Sequence, residues 1–224
     1  MTFSIAARCR ETGMVGVAIS SSSICVASRC AFVEAGVGAV LSQNVTDPTL
    51  GPAALAALRH GSDAQQAVQL IQADNATIEW RQVLIQPLVG AGAIHSGAHV
   101  LGCHAQAYGA DCVAAGNLLA ADSIPAAMVA AFQSSSGHLA HRLVCALEAA
   151  VRAGGEAGPV HSAGVLVAHE PTWPVVDLRV DYAESCPIAG LRALWTRYVP
   201  ELDDYVVRAT HPERAPSYGV AGDP

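Results

Sequence analysis

The chain has 224 residues, 52% hydrophobic and 14% charged, with a formal charge of −7 and twelve basic residues that are all Arg. That length suits one domain with a sizeable core, the acidic balance without a basic stripe speaks against a nucleic-acid partner, and the lack of Lys excludes a side-chain Schiff base. No apolar run approaches the ~20 residues of a membrane span and no basic segment leads into an apolar leader, so the chain reads as cytoplasmic, with no membrane partner.

The first segment, Thr2 to Arg8, alternates Phe3, Ile5 and Ala7 with Thr2, Ser4 and Ala6, and residues 15–19 alternate likewise. Glu11-Thr12-Gly13 between them reads as a hairpin turn, which brings Ser20 and Ser21 beside Thr2. Ile24 to Val33 and Val37 to Gln43 read as two further strands, and the sheet begun by the hairpin is expected to hold four or more. Two helices follow, the first with Pro52 inside its start and Gly61 beyond its end, the second over 63–73 with Ser62 as its cap. Strands are predicted at 81–86, 91–96 and 112–115, helices at 124–132 and 138–153, a strand pair at 162–169 and 175–181, and a helix from Pro187. This makes one domain over residues 1–207, and the stretch 208–224, which lacks an apolar period, reads as a flexible tail.

The seven cysteines are odd in number and irregularly spaced, and they read as reduced thiols packed as small hydrophobes. The grouping of His95, His99, Cys103, His104 and Cys112 holds metal-ligand residue types but lacks the paired spacing of a zinc site, so neither a metal nor another cofactor is expected. A low charge content with many small residues suggests a homo-oligomer.

Thr2 directly follows Met1. A threonine hydroxyl needs a base, and a free α-amino group, with a pKa of about 7.7–8.0, is substantially neutral near pH 7. Thr2 at the start of the chain would supply both groups, held on a strand rather than on a loose end. The plainer reading is a β-branched residue opening a strand.

Element order and local motifs together resemble the DUF1028 family of bacterial and archaeal proteins, which is grouped with the N-terminal-nucleophile hydrolases. The resemblance covers about Thr2 to Leu194. It rests on Thr2-Phe3-Ser4-Ile5, Thr12-Gly13 before Gly16-Val17-Ala18, and Ala35 to Val40. It continues through Gln43, Thr46 and Pro48 before Gly51, Arg81-Gln82, Gly116-Asn117-Leu118-Leu119 and Asp177 to Asp181. Departures at Asn44, Asp47, Leu50 and Ala115 bear on the substrate pocket rather than on the fold. The resemblance implies an α+β fold, a four-layer α-β-β-α sandwich of two stacked, mainly antiparallel sheets. The family itself gives no substrate; taken with Thr2 directly after Met1, the resemblance leads to the expectation of a small-molecule amide hydrolysed through an acyl-enzyme on Thr2. A non-catalytic binding or assembly module on the same scaffold is the rival reading.

Four more residues are candidates for the site. Asn117, at a strand end after Gly116, either offers its side-chain N–H to an oxyanion or is a turn residue in the left-handed region. Gln43 either orients substrate or amine, or caps a loop. Ser21 is near Thr2 by hairpin geometry, or belongs to a solvated Ser-rich loop. Arg29 is either an anchor for a substrate carboxylate or a surface charge. Asp177, Arg179 and Asp181 share one face of a strand and read as an ion-paired surface.

Overall fold

In the computed structural model, which describes residues 1–222, the first alternating segment is β1 (Thr2–Arg8) and returns as β2 (Val15–Ser21). Gly13, at φ 77°, makes the turn. The register runs from Thr2 opposite Ser21 to Arg8 opposite Val15.

The expected strand over Ile24 to Val33 is replaced in its first half by a short helix, α1 (Val26–Cys30), followed by β3 (Ala31–Glu34). Its start is fixed from outside. Cys25 takes a left-handed conformation at φ 55°, its N–H donates to the Asp181 carbonyl at 2.8 Å, and the Val26 N–H donates to Ser162 Oγ at 3.2 Å. Local β propensity yields there to partners 156 and 136 residues along the chain. A second correction concerns β3 and its neighbour β4 (Gly38–Asn44), which do not join the hairpin's sheet.

Helices α2 (Leu50–Arg59) and α3 (Ala64–Asp74) come next. The α3 cap is Asp63, not Ser62: its carboxylate accepts from the Gln66 N–H at 2.8 Å while Gln66 Oε1 accepts from the Asp63 N–H at 2.9 Å, a reciprocal box. The strands that follow are β5 (Arg81–Pro87), β6 (Ala93–Ser96), β7 (Ala105–Tyr108) and β8 (Cys112–Asn117). Four-residue β7 was not anticipated, because Ala-Gln-Ala-Tyr carries almost no apolar alternation. Then come α4 (Ile124–Ser134), α5 (Leu139–Arg152), β9 (Ser162–Ala168), β10 (Val176–Val180), α6 (Pro187–Tyr198) and α7 (Leu202–Thr210). Helix α7 runs across the expected domain end at 207, and Leu202 and Val206 pack on the core.

All strand pairs are antiparallel. One sheet has the order β10-β9-β2-β1-β8-β7, the other β3-β4-β5-β6. The architecture is therefore α+β with two antiparallel sheets. Alternation in β1 sends Phe3, Ile5 and Ala7 against α4, α5 and α6, while Ala6 enters a second core with Val17, Ile19, Leu41 and Leu84 between the sheets. Val40, Val83 and Ile85 point the other way, onto α2 and α3. Each fully buried Leu, Ile, Val or Phe in these cores stabilises the fold by about 1.5–3 kcal/mol.

Between the sheets, Arg8 is 4% exposed. Its Nε donates to Asp111 Oδ1 at 2.9 Å, and its Nη1 reaches the carbonyls of Pro87, Leu88 and Gly90 at 3.2, 3.0 and 2.6 Å, tying β1 to the end of β5. Among the described residues, no helix is long and apolar enough to cross a membrane.

Candidate active site around Thr2

The two sheet ladders on either side of β1 place Thr2 opposite Ser21 on β2 and opposite Asn117 on β8. Three residues far apart in sequence thus meet at one end of the central strand. Thr2 is 5% exposed, and Ser21 and Asn117 are each 1% exposed. The Thr2 and Ser21 hydroxyls both donate to the Met1 carbonyl oxygen at 2.5 Å and lie 3.4 Å apart. Ser21 Oγ also accepts from the Ser23 N–H at 3.1 Å, which aims its own proton at that carbonyl. Gly116 permits the close ladder: a Cβ there would lie 3.0 Å from the Thr2 carbonyl oxygen and 2.6 Å from Leu119.

Behind Thr2 a chain of uncharged polar groups fills the gap between the sheets. Ser4 Oγ donates to Gln43 Oε1 at 2.6 Å, Gln43 Nε2 donates to Gln82 Oε1 at 2.7 Å, and Asn117 Nδ2 donates to the same Gln82 oxygen at 3.3 Å. Gln82 Nε2 reaches Ser96 Oγ at 3.0 Å and the Gly116 carbonyl at 3.4 Å. A carbonyl only accepts, so the contact with Gly116, and that of Gln43 Nε2 with the Ala115 carbonyl at 3.4 Å, fix which way both amides face.

The orientation of Asn117 follows. It turns an N–H inward to Gln82 and leaves Oδ1, an acceptor, buried without a partner. That geometry differs from an N–H aimed at an oxyanion. The left-handed residue at this turn is Leu118, at φ 50°, rather than Asn117. Gln43 is fully buried in the inter-sheet network and caps no loop. Arg29 stands apart: its Nη1 is taken up by the carbonyls of Ile24 and Cys25, at 2.5 and 3.1 Å. Asp177 and Arg179 form a bidentate pair on β10, at 2.6 and 2.8 Å.

The sequence reading missed Glu156. This carboxylate sits in the Gly154-Gly155 turn beyond α5, where both glycines have positive φ, and is bridged to Leu119 just after Asn117. It is 5% exposed. Oε2 accepts from the Ser22 N–H at 3.2 Å, and Oε1 has no partner. Burial pushes its carboxyl up to about 7, against the opposing pull of the Met1 ammonium, the Ser22 hydrogen bond and His161. The only signal in the sequence was a single acid in a Gly- and Ala-rich turn.

The histidines and cysteines of the 95–112 stretch are dispersed. His95 bonds Gln72 and the Ile78 carbonyl, the His99 ring packs tilted by 33° against Trp80 with centroids 4.6 Å apart, Cys103 is exposed, and Cys112 is buried with its thiol pushed up to about 12 by burial. Among the described residues no three His, Cys, Asp or Glu side chains are placed to hold a metal ion.

The model of a family of unknown function, DUF1028, matches residues 2–191. The chain belongs to the DUF1028 family. The crystal structure of protein SPO2555 from Silicibacter pomeroyi, of the same family, is similar with a TM-score of 0.82 and 32% identity, over 88% of this chain and 89% of that one. Anbu (ancestral beta-subunit) from Yersinia bercovieri aligns over 91% of this chain and 97% of its own, at 10% identity and a TM-score of 0.37, a likeness too slight to bear on fold or function. Among curated proteins none matches. DUF1028 membership thus accounts for the motifs and carries no reaction with it.

Proposed function

We propose that this DUF1028 protein is a cytoplasmic N-terminal-nucleophile amidohydrolase, built as a four-layer α-β-β-α sandwich over residues 1–207 and assembled as a homo-oligomer. The reading is supported chiefly by one observation: two hydroxyls, Thr2 Oγ1 and Ser21 Oγ, converge on a carbonyl oxygen at the end of the central strand, beside two buried acceptors without partners. Cleavage of the Met1–Thr2 bond would free the Thr2 α-amine within this cluster.

The amine then takes the Oγ1 proton as Oγ1 bonds to the carbonyl carbon of a small amide. The Ser21 hydroxyl, which already holds a carbonyl oxygen, serves the oxyanion, and the ammonium returns the proton to the departing nitrogen as the C–N bond breaks. Water, deprotonated by the amine, releases the acid from the Thr2 ester. Asn117 Oδ1 and Glu156 are acceptors suited to orienting that amine, and Gln43 and Gln82 hold Asn117. Arg29 has no part in the step. The test is mass spectrometry for the loss of Met1, together with turnover of small carboxamides and ureido acids. Thr2→Ala should abolish activity while the fold survives, and an active variant overturns the proposal.

The rival is a non-catalytic binding or assembly module on the same scaffold, since one fold can host unrelated roles. Retention of Met1 in the purified protein would favour it.

A further inference from the structure

A polar cleft of about 510 Å³ opens where the free edges of the two sheets, β6 and β7, approach each other beside α3. Among the described residues no Asp, Glu or Arg lines it. Its back wall is Ser96, one hydrogen bond from Gln82 and two from Asn117. In the larger sheet β7 lies two strands from β1, or about 10 Å at ordinary strand spacing, and Ala105 pairs with Gly116, the residue before Asn117. The cleft and Thr2 are therefore at the same end of the molecule.

The hydrogen-bonding character of the lining is set by its anchors. Ser96 Oγ accepts from Gln82, so its proton goes to Gln106 Oε1 at 3.3 Å, and the Gln106 NH2 is turned outward with only a 3.5 Å contact to Tyr108 Oη. His95 Nε2 donates to the Ile78 carbonyl at 3.2 Å, so in the neutral ring Nδ1 is an acceptor. Gln72 must therefore present its NH2 to that nitrogen, at 3.0 Å, which leaves Gln72 Oε1 outward. His104 Nδ1 faces the Gly102 carbonyl at 3.0 Å, so in the neutral ring Nε2 is a second outward acceptor. These anchored groups thus offer an amide donor and two acceptors, and the Gln65 amide, also in the lining, can turn either its donor or its acceptor to a ligand.

From this the geometry points to the cleft as a binding subsite for an uncharged carboxamide or urea group, which carries a carbonyl for Gln106 and N–H groups for Gln72 and His104. A carboxylate would set its oxygens against the two acceptors, and an ammonium would leave the Gln106 donor unmatched. The place of the subsite in catalysis rests on the amidohydrolase reading: the group it holds is the far end of the substrate whose amide lies at Thr2. Binding in the cleft does not depend on that chemistry.

The experiment therefore uses the Thr2→Ala protein. Its side-chain amide NMR resonances are followed during titration with propionamide and N-propylurea, and with their charged counterparts propionate and propylammonium. The Gln72 and Gln106 resonances should shift with the two neutral probes at concentrations about tenfold lower than with either ion. Gln106→Glu, which exchanges the outward donor for a carboxylate, should reverse the preference toward propylammonium. Absence of these shifts, equal response to the charged probes, or an unchanged preference in Gln106→Glu would each overturn the proposal. If binding fails while the wild-type protein retains Thr2-dependent turnover, the subsite falls and the hydrolase stands. Binding without Thr2-dependent turnover would leave a ligand site and overturn its place as a substrate subsite.

Discussion

Glu156→Gln gives the sharpest test of the buried carboxylate. The change removes a charge and keeps an acceptor for the Ser22 N–H. In the folded protein the carboxyl is pushed up to about 7 from an ordinary value of 4.5, mainly by burial. A gap of that size corresponds to about 3 kcal/mol. The folded state holds the proton more tightly than the unfolded state, so below about pH 4.5 the group costs nothing. As pH rises from about 4.5 to 7 the wild-type protein loses that stability, and the loss persists above. Glutamine carries no such penalty. Glu156→Gln should match wild type at pH 4.5 and exceed it by about 3 kcal/mol at pH 8, a rise of about 6–12 °C in melting temperature for a chain of this size. Thermal melts and urea titrations at the two pH values measure the difference. A variant no more stable than wild type at pH 8, or equally stabilised at both, would refute the account. Loss of turnover alongside the gain in stability would mark a group kept for chemistry at the expense of the fold.

Gln82→Leu keeps the volume but leaves the inward donors of Gln43 and Asn117 facing an apolar group, so stability should fall by about 2–5 kcal/mol in urea denaturation. Iodoacetamide at pH 8 should label exposed Cys103 and Cys186 in the native protein and spare Cys112, whose buried thiol is pushed up to about 12, with peptide mass spectrometry as the readout. Light scattering should report a multiple of the 23.0 kDa chain, and a monomer would refute the homo-oligomer.

The parts of this site that were legible in the sequence are those set by neighbours in the chain. Alternation in β1 and β2 with Gly13 between them was enough to bring Ser21 to Thr2. Asn117 came from the DUF1028 motif, since nothing local says that β8 pairs with β1. Whether it would offer a donor or an acceptor depended on Gln82, a partner 35 residues away on the other sheet. Glu156 was hidden for the same reason: it bonds to Ser22 and bridges to Leu119, which the chain order does not place beside it. Helix α1 eluded a reading of propensities because Asp181 and Ser162 fix its start.

The guanidinium of Arg8 bears on how such a protein can diverge. With that cation tying one end of the interlayer seam and the Ser4 hydroxyl with the Gln43 and Gln82 amides tying the other, sliding or splaying the slabs would break buried hydrogen bonds at both ends. Relatives that accept other molecules would have to remodel the rim, through the turns after β8 and α5, while the distance between the slabs stays constant.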